Sequence, residues 1–161
     1  MQPHQQVRYY SKMDIFVLKL NGSLRFTCAP YLDEAIKKID THKKENIIFD
    51  LTQASYIDST IMGGIAKFFL QDQTGEQKKP IIVYKGDDIK LMFTKIGFDR
   101  FFNFTKEDKR TNINAQDLIG FSEIKPDAKK LKESIKSAHQ ILSDLNPEDP
   151  GYKEVVQALK D

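Results

Sequence analysis

Short apolar runs alternate with amphipathic segments from residue 7 to about residue 105, and this alternation predicts an α/β fold. Runs of large or β-branched apolar residues predict strands at VRYY (7–10), IFVLKL (15–20), NIIFDL (46–51), PIIVYK (80–85) and FFNF (101–104). Apolar positions three and four apart predict helices at APYLDEAIKKID (29–40), IMGGIAKFFL (61–70) and DDIKLMFTKIGF (87–98). Because buried strands joined through helices favour crossover connections, we expect a mixed or mostly parallel central sheet with helices packed on it.

Turn and cap residues separate these elements. Asn21-Gly22 is typical of a turn and is expected to end the strand at 15–20. Asp87 or Asp88 can cap the third helix, and Gly97 stands where a glycine belongs just after a helix.

The C-terminal third has a different pattern. Residues 106–125 begin with the polar run TKEDKRTNINAQD and are interpreted as a linker between a domain at 1–105 and a helical extension at 126–161. Apolar residues in the extension repeat every 3.5 positions, the spacing of a narrow helix–helix seam, at Ala128, Leu131, Ile135, Ala138, Leu142 and Leu145. Asp149-Pro150 then predicts the start of a short second helix. Two interpretations stay open: the two helices form a hairpin on the sheet domain, or they contact a second copy or a partner.

Composition and charge narrow the classes of function. The chain has 161 residues, 40% of them hydrophobic, which suffices for one domain with a substantial core. Its 25 Lys and Arg against 23 Asp and Glu give a net charge of +2, too balanced to indicate nucleic-acid or membrane-surface binding. The lone Cys28 excludes an internal disulfide and a cysteine zinc site. The N-terminal sequence lacks an apolar signal region, and no apolar run approaches ~18 residues, so we expect a cytoplasmic protein.

The sequence contains no motif for catalysis or for a cofactor. The three histidines, His4, His42 and His139, share no metal-ligand spacing, and His139 is interpreted as a half-buried helix residue. The patterns GxSxG, HExxH, CxxC, GxGxxG and GxxxxGK[ST] are missing. Asp58 precedes Ser59 in the chain but does not supply the Ser–His relationship of an activated nucleophile. We therefore expect a non-enzymatic protein without a cofactor or a metal.

The stretch YIDSTIMGG (56–64) breaks the ordinary rules of a helix start. Asp58, Ser59 and Thr60 are all competent to cap, which is more capping chemistry than one helix uses. Gly63 and Gly64 follow inside the same helix, where each costs about 1 kcal/mol relative to Ala. This cost indicates close approach by another backbone or by a partner, and tight packing of the helix on the sheet is a second explanation.

The segment NIIFDLTQASYIDSTIMGGIAKFF resembles the signature of STAS domains of the anti-sigma factor antagonist kind. In that family a buried strand ends in Asp plus a hydroxyl residue, here Asp50-Leu51-Thr52, and an Asp-Ser-Ser/Thr triplet follows, here Asp58-Ser59-Thr60. Gly63 matches the second family glycine, and the order of elements from 7 to about 105 is similar. The C-terminal AHQILSDLNPEDPGYKEVVQALK resembles extensions in some bacterial members. Ile61 departs from the pattern, because the family commonly has Gly or Ala directly after the triplet.

The resemblance implies a STAS-like mixed sheet and a phosphoswitch at Ser59. In the family, an anti-sigma factor with serine kinase activity phosphorylates this serine, a PP2C-type phosphatase reverses the reaction, and the unphosphorylated form binds the partner. Ser59 is then expected to be solvent-exposed, and the partner interface would comprise the neighbouring residues Asp58, Thr60, Ile61, Met62 and Gly63. Two other classes stay open: a STAS module that binds a ligand or acts as a scaffold without phosphorylation, and a serine hydrolase.

Overall fold

A computed structural model describes residues 5–42, 46–71, 78–120 and 128–159, and these residues form one mixed sheet with helices packed on it. The strands are β1 (Gln6–Lys12), β2 (Ile15–Leu24), β3 (Asn46–Asp50), β4 (Ala54–Ile57), β5 (Ile81–Val83), β6 (Asn103–Thr105) and β7 (Ile119–Gly120). The helices are α1 (Ala29–His42), α2 (Ser59–Gln71), α3 (Asp87–Lys95), α4 (Ala128–Leu145) and α5 (Pro150–Ala158). The predicted α/β architecture with a C-terminal helical extension is therefore confirmed. His4 and the side chain of His42 lie outside the described part of the chain.

The sheet has the strand order β6-β5-β3-β2-β1-β7, with β4 pairing to the far end of β2. The pairs β2–β3, β3–β5, β5–β6 and β2–β4 are parallel, and β1 pairs antiparallel with both β2 and β7. Helices α1, α2 and α3 provide crossovers between the parallel strands, as the sequence pattern predicts. The mixed sheet thus combines a parallel centre with an antiparallel edge.

The expected turn at Asn21-Gly22 is wrong, because β2 continues through both residues to Leu24. Gly22 adopts a positive φ of 89°, and the register of β2 against β4 shifts between Gly22 and Ser23. Glycine reaches this conformation without a steric penalty, so here it marks a bulge instead of a chain reversal. Beyond the bulge, β2 pairs with β4, a strand that the sequence analysis did not predict.

Both faces of the sheet are covered. On one face, Phe16, Leu18 and Phe49 belong to a large cluster that includes residues of α1, α2, α3 and α4. On the other face, Val17, Ile48 and Val83 form a smaller cluster with partly buried residues, among them Ile113. β3 is consequently buried on both faces, as its nearly continuous apolar run predicts.

The segment 106–125, interpreted from sequence as a linker, has structure of its own where it is described. It contains two short helical turns at Lys109–Thr111 and Ala115–Asp117, and then β7, which adds to the edge of the sheet beside β1. Asp108 holds the first of these turns, accepting a hydrogen bond from the backbone N–H of Arg110 and forming an ion pair with its side chain at 2.7 Å. The segment therefore runs across the second face of the sheet and returns to its edge.

The C-terminal residues form the two predicted helices. The Asp149 carboxylate caps α5 by accepting from the Gly151 N–H at 2.9 Å, with Pro150 at the first helical position. α5 packs on α4, and α4 packs on α2 and α1. Leu142 of α4 is fully buried in the large cluster. Of the two interpretations left open, the structure shows the helical hairpin docked on the sheet domain.

Candidate functional site

Asp58 is the residue that caps α2. One of its carboxylate oxygens accepts from the Ile61 N–H at 3.0 Å, and the other accepts from the Phe26 N–H at 2.7 Å. Its own N–H donates to the Leu24 carbonyl, so the end of β2, the turn after it and the start of α2 meet at this side chain. Because Asp58 performs the capping, the hydroxyl of Ser59 is available for other contacts.

The preceding Asp50-Leu51-Thr52 corner has a structural role. The Asp50 side chain is 1% exposed and accepts from the Thr52 N–H at 3.0 Å and from the Thr52 hydroxyl at 2.7 Å. The Lys19 ammonium lies 3.7 Å from the other carboxylate oxygen. These contacts satisfy a buried carboxylate and fix the turn that leads from β3 into β4 and α2.

Ser59 hydrogen-bonds to His139, a residue 80 positions later on α4. The Ser59 Oγ and the His139 Nε2 are 2.9 Å apart, and the other ring nitrogen, Nδ1, lies 2.9 Å from the Ile135 carbonyl oxygen. Since a carbonyl only accepts, Nδ1 carries a proton, and in the tautomer protonated at Nδ1 alone Nε2 accepts the hydrogen of the Ser59 hydroxyl. The sequence alone assigned no general base to Ser59, and the structure places the imidazole of a distant residue beside its hydroxyl. His139 is only 6% exposed, so its interpretation as a half-buried residue is wrong.

The two glycines of α2 serve two different helix contacts. A Cβ on Gly63 would lie 2.7 Å from the carbonyl carbon and 2.8 Å from the Cα of Ala138, so the α4 backbone rests directly on Gly63. A Cβ on Gly64 would instead lie 2.6 Å from the Leu32 Cδ2, at the end of a flexible α1 side chain. The close approach by another backbone that the sequence indicates is thus the approach of α4.

The predicted partner residues are mostly enclosed. Ser59 was expected to be solvent-exposed, but it is half-buried because His139 of α4 lies against it. Asp58 is also partly buried, and Gly63 lies under α4. The buried positions next to Ser59 are Thr60 at 4%, Ile61 at 1% and Met62 at 7% exposure. In this structure the chain's own C-terminal extension occupies part of the surface that the sequence assigns to a partner.

A second polar contact anchors α4. The Asp33 carboxylate on α1 accepts from the Ser134 hydroxyl of α4 at 2.6 Å and pairs with the Lys67 ammonium of α2 at 2.9 Å. Three helices therefore meet at one carboxylate. Ser134 is 5% exposed, and the sequence analysis did not select it, although it precedes the seam position Ile135 by one residue. His139 likewise follows the seam position Ala138, so both polar anchors border the predicted seam.

An exposed patch borders the start of α2. Phe26 and Tyr56 remain 44% and 41% exposed, and the Arg25 guanidinium carbon lies 4.7 Å from the Tyr56 ring centroid. The Phe26 backbone is tied to Asp58, so this patch is held at the same corner as Ser59. Aromatic and arginine side chains of this kind are enriched at protein interfaces.

The described residues provide little for metal chemistry or a membrane. No group of three or more His, Cys, Asp or Glu side chains among them is arranged to hold a metal ion. Within the same residues, no helix has the length and apolar character needed to cross a membrane. Burial, reinforced by the nearby Asp58 charge, raises the pKa of the Cys28 thiol to about 12, which keeps that thiol protonated and unreactive.

Comparison with known proteins agrees with this architecture. The family model of the STAS domain matches residues 6–110. A crystal structure of an anti-sigma factor antagonist from Mycobacterium paratuberculosis is similar in fold, with a TM-score of 0.58 and 16% sequence identity, covering 66% of this chain and 90% of that chain. No curated protein sequence matches the chain significantly. Helices α4 and α5 lie beyond the residues that the family model matches.

Proposed function

The chain belongs to the STAS domain family, and from this premise we propose that it is a non-enzymatic anti-sigma factor antagonist switched by phosphorylation of Ser59. The unphosphorylated chain binds an anti-sigma factor that has serine kinase activity. Phosphorylation releases that partner, and a PP2C-type phosphatase restores binding. The similar fold of an anti-sigma factor antagonist supports this role.

The main observation behind the proposal is that Asp58, and not Ser59, caps α2. Asp58 caps the helix, so Ser59 can be modified without losing the cap. Thr60, the neighbouring hydroxyl, is 4% exposed and is closed to a kinase, whereas Ser59 keeps partial exposure. The selectivity for Ser59 over Thr60 therefore has a steric basis.

The electrostatics favour a switch that spares the fold. A phosphoryl group adds about −1.5 to −2 charge at neutral pH. At a helix N-terminus an anion is favoured by about 0.3–1 kcal/mol, so α2 tolerates the group. A partner surface packed over Ser59 has to desolvate the same charge, and its binding weakens.

The Ser59–His139 pair favours one alternative, a serine hydrolase. An imidazole that accepts a serine proton while its second nitrogen is held by an acceptor is the arrangement of an activated nucleophile. Here the acceptor is a backbone carbonyl and the imidazole is 6% exposed, so a substrate has to displace α4 to reach the pair. A screen with p-nitrophenyl esters decides this point: hydrolysis that is lost in both Ser59→Ala and His139→Ala would establish the enzyme, and we expect none.

The test of the proposed function compares Ser59→Ala with Ser59→Asp as baits in a pulldown identified by mass spectrometry. We expect the Ala variant to retain an anti-sigma factor kinase that the Asp variant loses, and phosphate on the wild-type chain to map to Ser59 alone. Ser55→Asp is the matched control, because Ser55 is an exposed serine on β4 close in sequence. Equal capture by all three baits would support a scaffold or ligand-binding module instead, and phosphate on Ser55 or Thr60 would contradict the assignment.

A further inference from the structure

Helix α4 lies on the same face of α2 that carries Ser59. Its contacts there are the hydrogen bond from Ser59 to His139 and the close approach of Ala138 to Gly63, one turn further along α2. Ser59 and Gly63 are four residues apart and so share one helix face. α4 therefore covers the face of α2 that carries Ser59.

Two positions of α2 beneath α4 carry small side chains. The large side chain of Phe68 points to the sheet, where its ring packs edge-on against Phe49 of β3 at a centroid distance of 6.0 Å. Two of the positions where α4 contacts it are a glycine and a serine, Gly63 and Ser59. Undocking α4 uncovers little apolar area at these two positions, so the cost of exposing them to water is small.

Polar anchors provide much of the specificity of this docking. His139 bonds to Ser59, and Ser134 bonds to Asp33, which also pairs with Lys67. Hydrogen bonds of this kind contribute modestly to net stability, because water replaces them when they open. Apolar contacts hold the hairpin as well: Leu142 is fully buried, and Ile141, Leu145 and Tyr152 pack against the large cluster. α5 packs on α4, so the two helices can leave the domain as one hairpin.

We propose that the α4–α5 hairpin is a displaceable autoinhibitory cover over the Ser59 surface. The anti-sigma factor binds by replacing α4 with a helix of its own, one that has a small residue opposite Gly63 and a hydrogen-bond acceptor opposite Ser59. The exposed Arg25, Phe26 and Tyr56 stand at the same corner and provide a first contact while the cover is closed. The identity of this partner rests on the proposed function, whereas the displaceable cover is a property of the chain alone.

The first test needs no partner and follows hydrogen exchange of the full-length chain by mass spectrometry. We expect α4 and α5 amides to exchange at least ~10-fold faster than β3 amides, through a partial opening that leaves the sheet intact. Ala138→Leu overpacks the contact with Gly63 from the α4 side and should speed α4 exchange at least ~5-fold while β3 rates stay unchanged. Ala158→Leu is the matched control, because Ala158 is exposed on α5.

If Ala138→Leu fails to fold, the pair His139→Ala and Gln140→Ala replaces it, since Gln140 is the exposed neighbour of His139. Equal protection of α4 and β3 in the wild-type chain would overturn the cover, because α4 would then open only when the whole domain unfolds.

The second test measures binding of the anti-sigma factor captured with Ser59→Ala. We expect Ala138→Leu to bind it at least ~5-fold more tightly than the wild-type chain or Ala158→Leu, because opening the cover removes a competitor. Equal affinity for all three chains would overturn the cover and leave the proposed function standing. Partner capture that ignores Ser59 would contradict the proposed function, while hydrogen exchange still decides the cover. A dimer that forms in Ala138→Leu and blocks partner binding would show that a second copy is the occupant.

Discussion

Gly63→Ala adds one methyl group at the point where α4 rests on α2. The new Cβ would lie 2.7 and 2.8 Å from the carbonyl carbon and the Cα of Ala138. Ordinary carbon–carbon contacts are about 3.5–4.0 Å, so the α4 backbone has to retreat by about 1 Å. A helix backbone cannot rotate away as a side chain does, and the strain falls on the docking of the whole hairpin.

Gly63→Ala is expected to weaken the docking of the α4–α5 hairpin much more than it changes the stability of the sheet. Overpacking costs about 1–3 kcal/mol, which corresponds to a roughly 5- to 150-fold larger population with α4 released. Replacing a glycine inside α2 by Ala returns about 1 kcal/mol to the helix whether or not α4 is docked. We therefore expect α4 amides to exchange roughly 5- to 150-fold faster, with β3 amides unchanged or slightly slower.

Gly64→Ala is the matched control for this experiment. It gives the same helix gain in the next residue, but its Cβ meets the Leu32 side chain of α1, which can shift. Hydrogen-exchange mass spectrometry of the two full-length variants compares the α4 peptides directly. Equal α4 rates in Gly63→Ala and Gly64→Ala would refute the reasoning, since the Ala138 backbone would then not be the obstacle.

Three further outcomes are expected. Asp58→Ala removes the cap and should lower the free energy of unfolding by about 0.5–2 kcal/mol in urea denaturation, whereas Asp58→Asn should retain most of it. Burial raises the pKa of the Cys28 thiol from 9.0 to about 12, so the stability that its neutral form contributes is complete below pH 9 and is lost as the pH rises towards 12. The limiting slope is about 1.4 kcal/mol per pH unit. Thermal melts of the wild-type chain and Cys28→Ala across this range check it, and parallel curves would contradict it. Asp33→Ala leaves Lys67 and Ser134 without their shared partner and should lower the free energy of unfolding by about 1.5–3 kcal/mol, more than Ser134→Ala does. Chemical denaturation of both variants measures this, and equal losses would mean that the Lys67 ion pair contributes nothing.

Local patterns predicted the five helices and β1, β2, β3, β5 and β6 of the described residues, but not the short strands β4 and β7. Other failures occurred where one residue type has two uses. Gly97 was correctly placed after α3, with a positive φ of 83° that glycine accommodates. Gly22 also has a positive φ, but it lies in a bulge inside β2, and sequence does not distinguish a bulge from a turn. At the start of α3 the N-cap is Gly86 and makes no side-chain bond, while Asp87 and Asp88 occupy the first turn, where the helix dipole favours them.

The candidate site was predicted in part for a similar reason. Its local half, Asp58 as a cap and Ser59 at the helix start, follows from neighbouring residues. Its distant half, His139 against Ser59, joins residues 80 positions apart. The seam in α4 predicted that a helix contact exists, but a 3.5-residue period does not name the surface that the seam contacts. The seam of α4 contacts α2 at Gly63. The helix stability that a glycine costs α2 at this position indicated that another backbone lies close by.

The proposed cover, carried on the same chain, would set the apparent affinity of this protein for a partner. The local concentration of α4 over α2 is the same in every molecule, however many copies a cell contains. A partner therefore binds with its intrinsic dissociation constant divided by the fraction of open chains, and an open fraction of about 1% weakens the apparent affinity about 100-fold. Under this proposal, substitutions along α4, remote in sequence from Ser59, would raise or lower the apparent affinity without altering Ser59 itself. The partner concentration needed for half-saturation would then be set by how firmly the C-terminal helix α4 docks on α2.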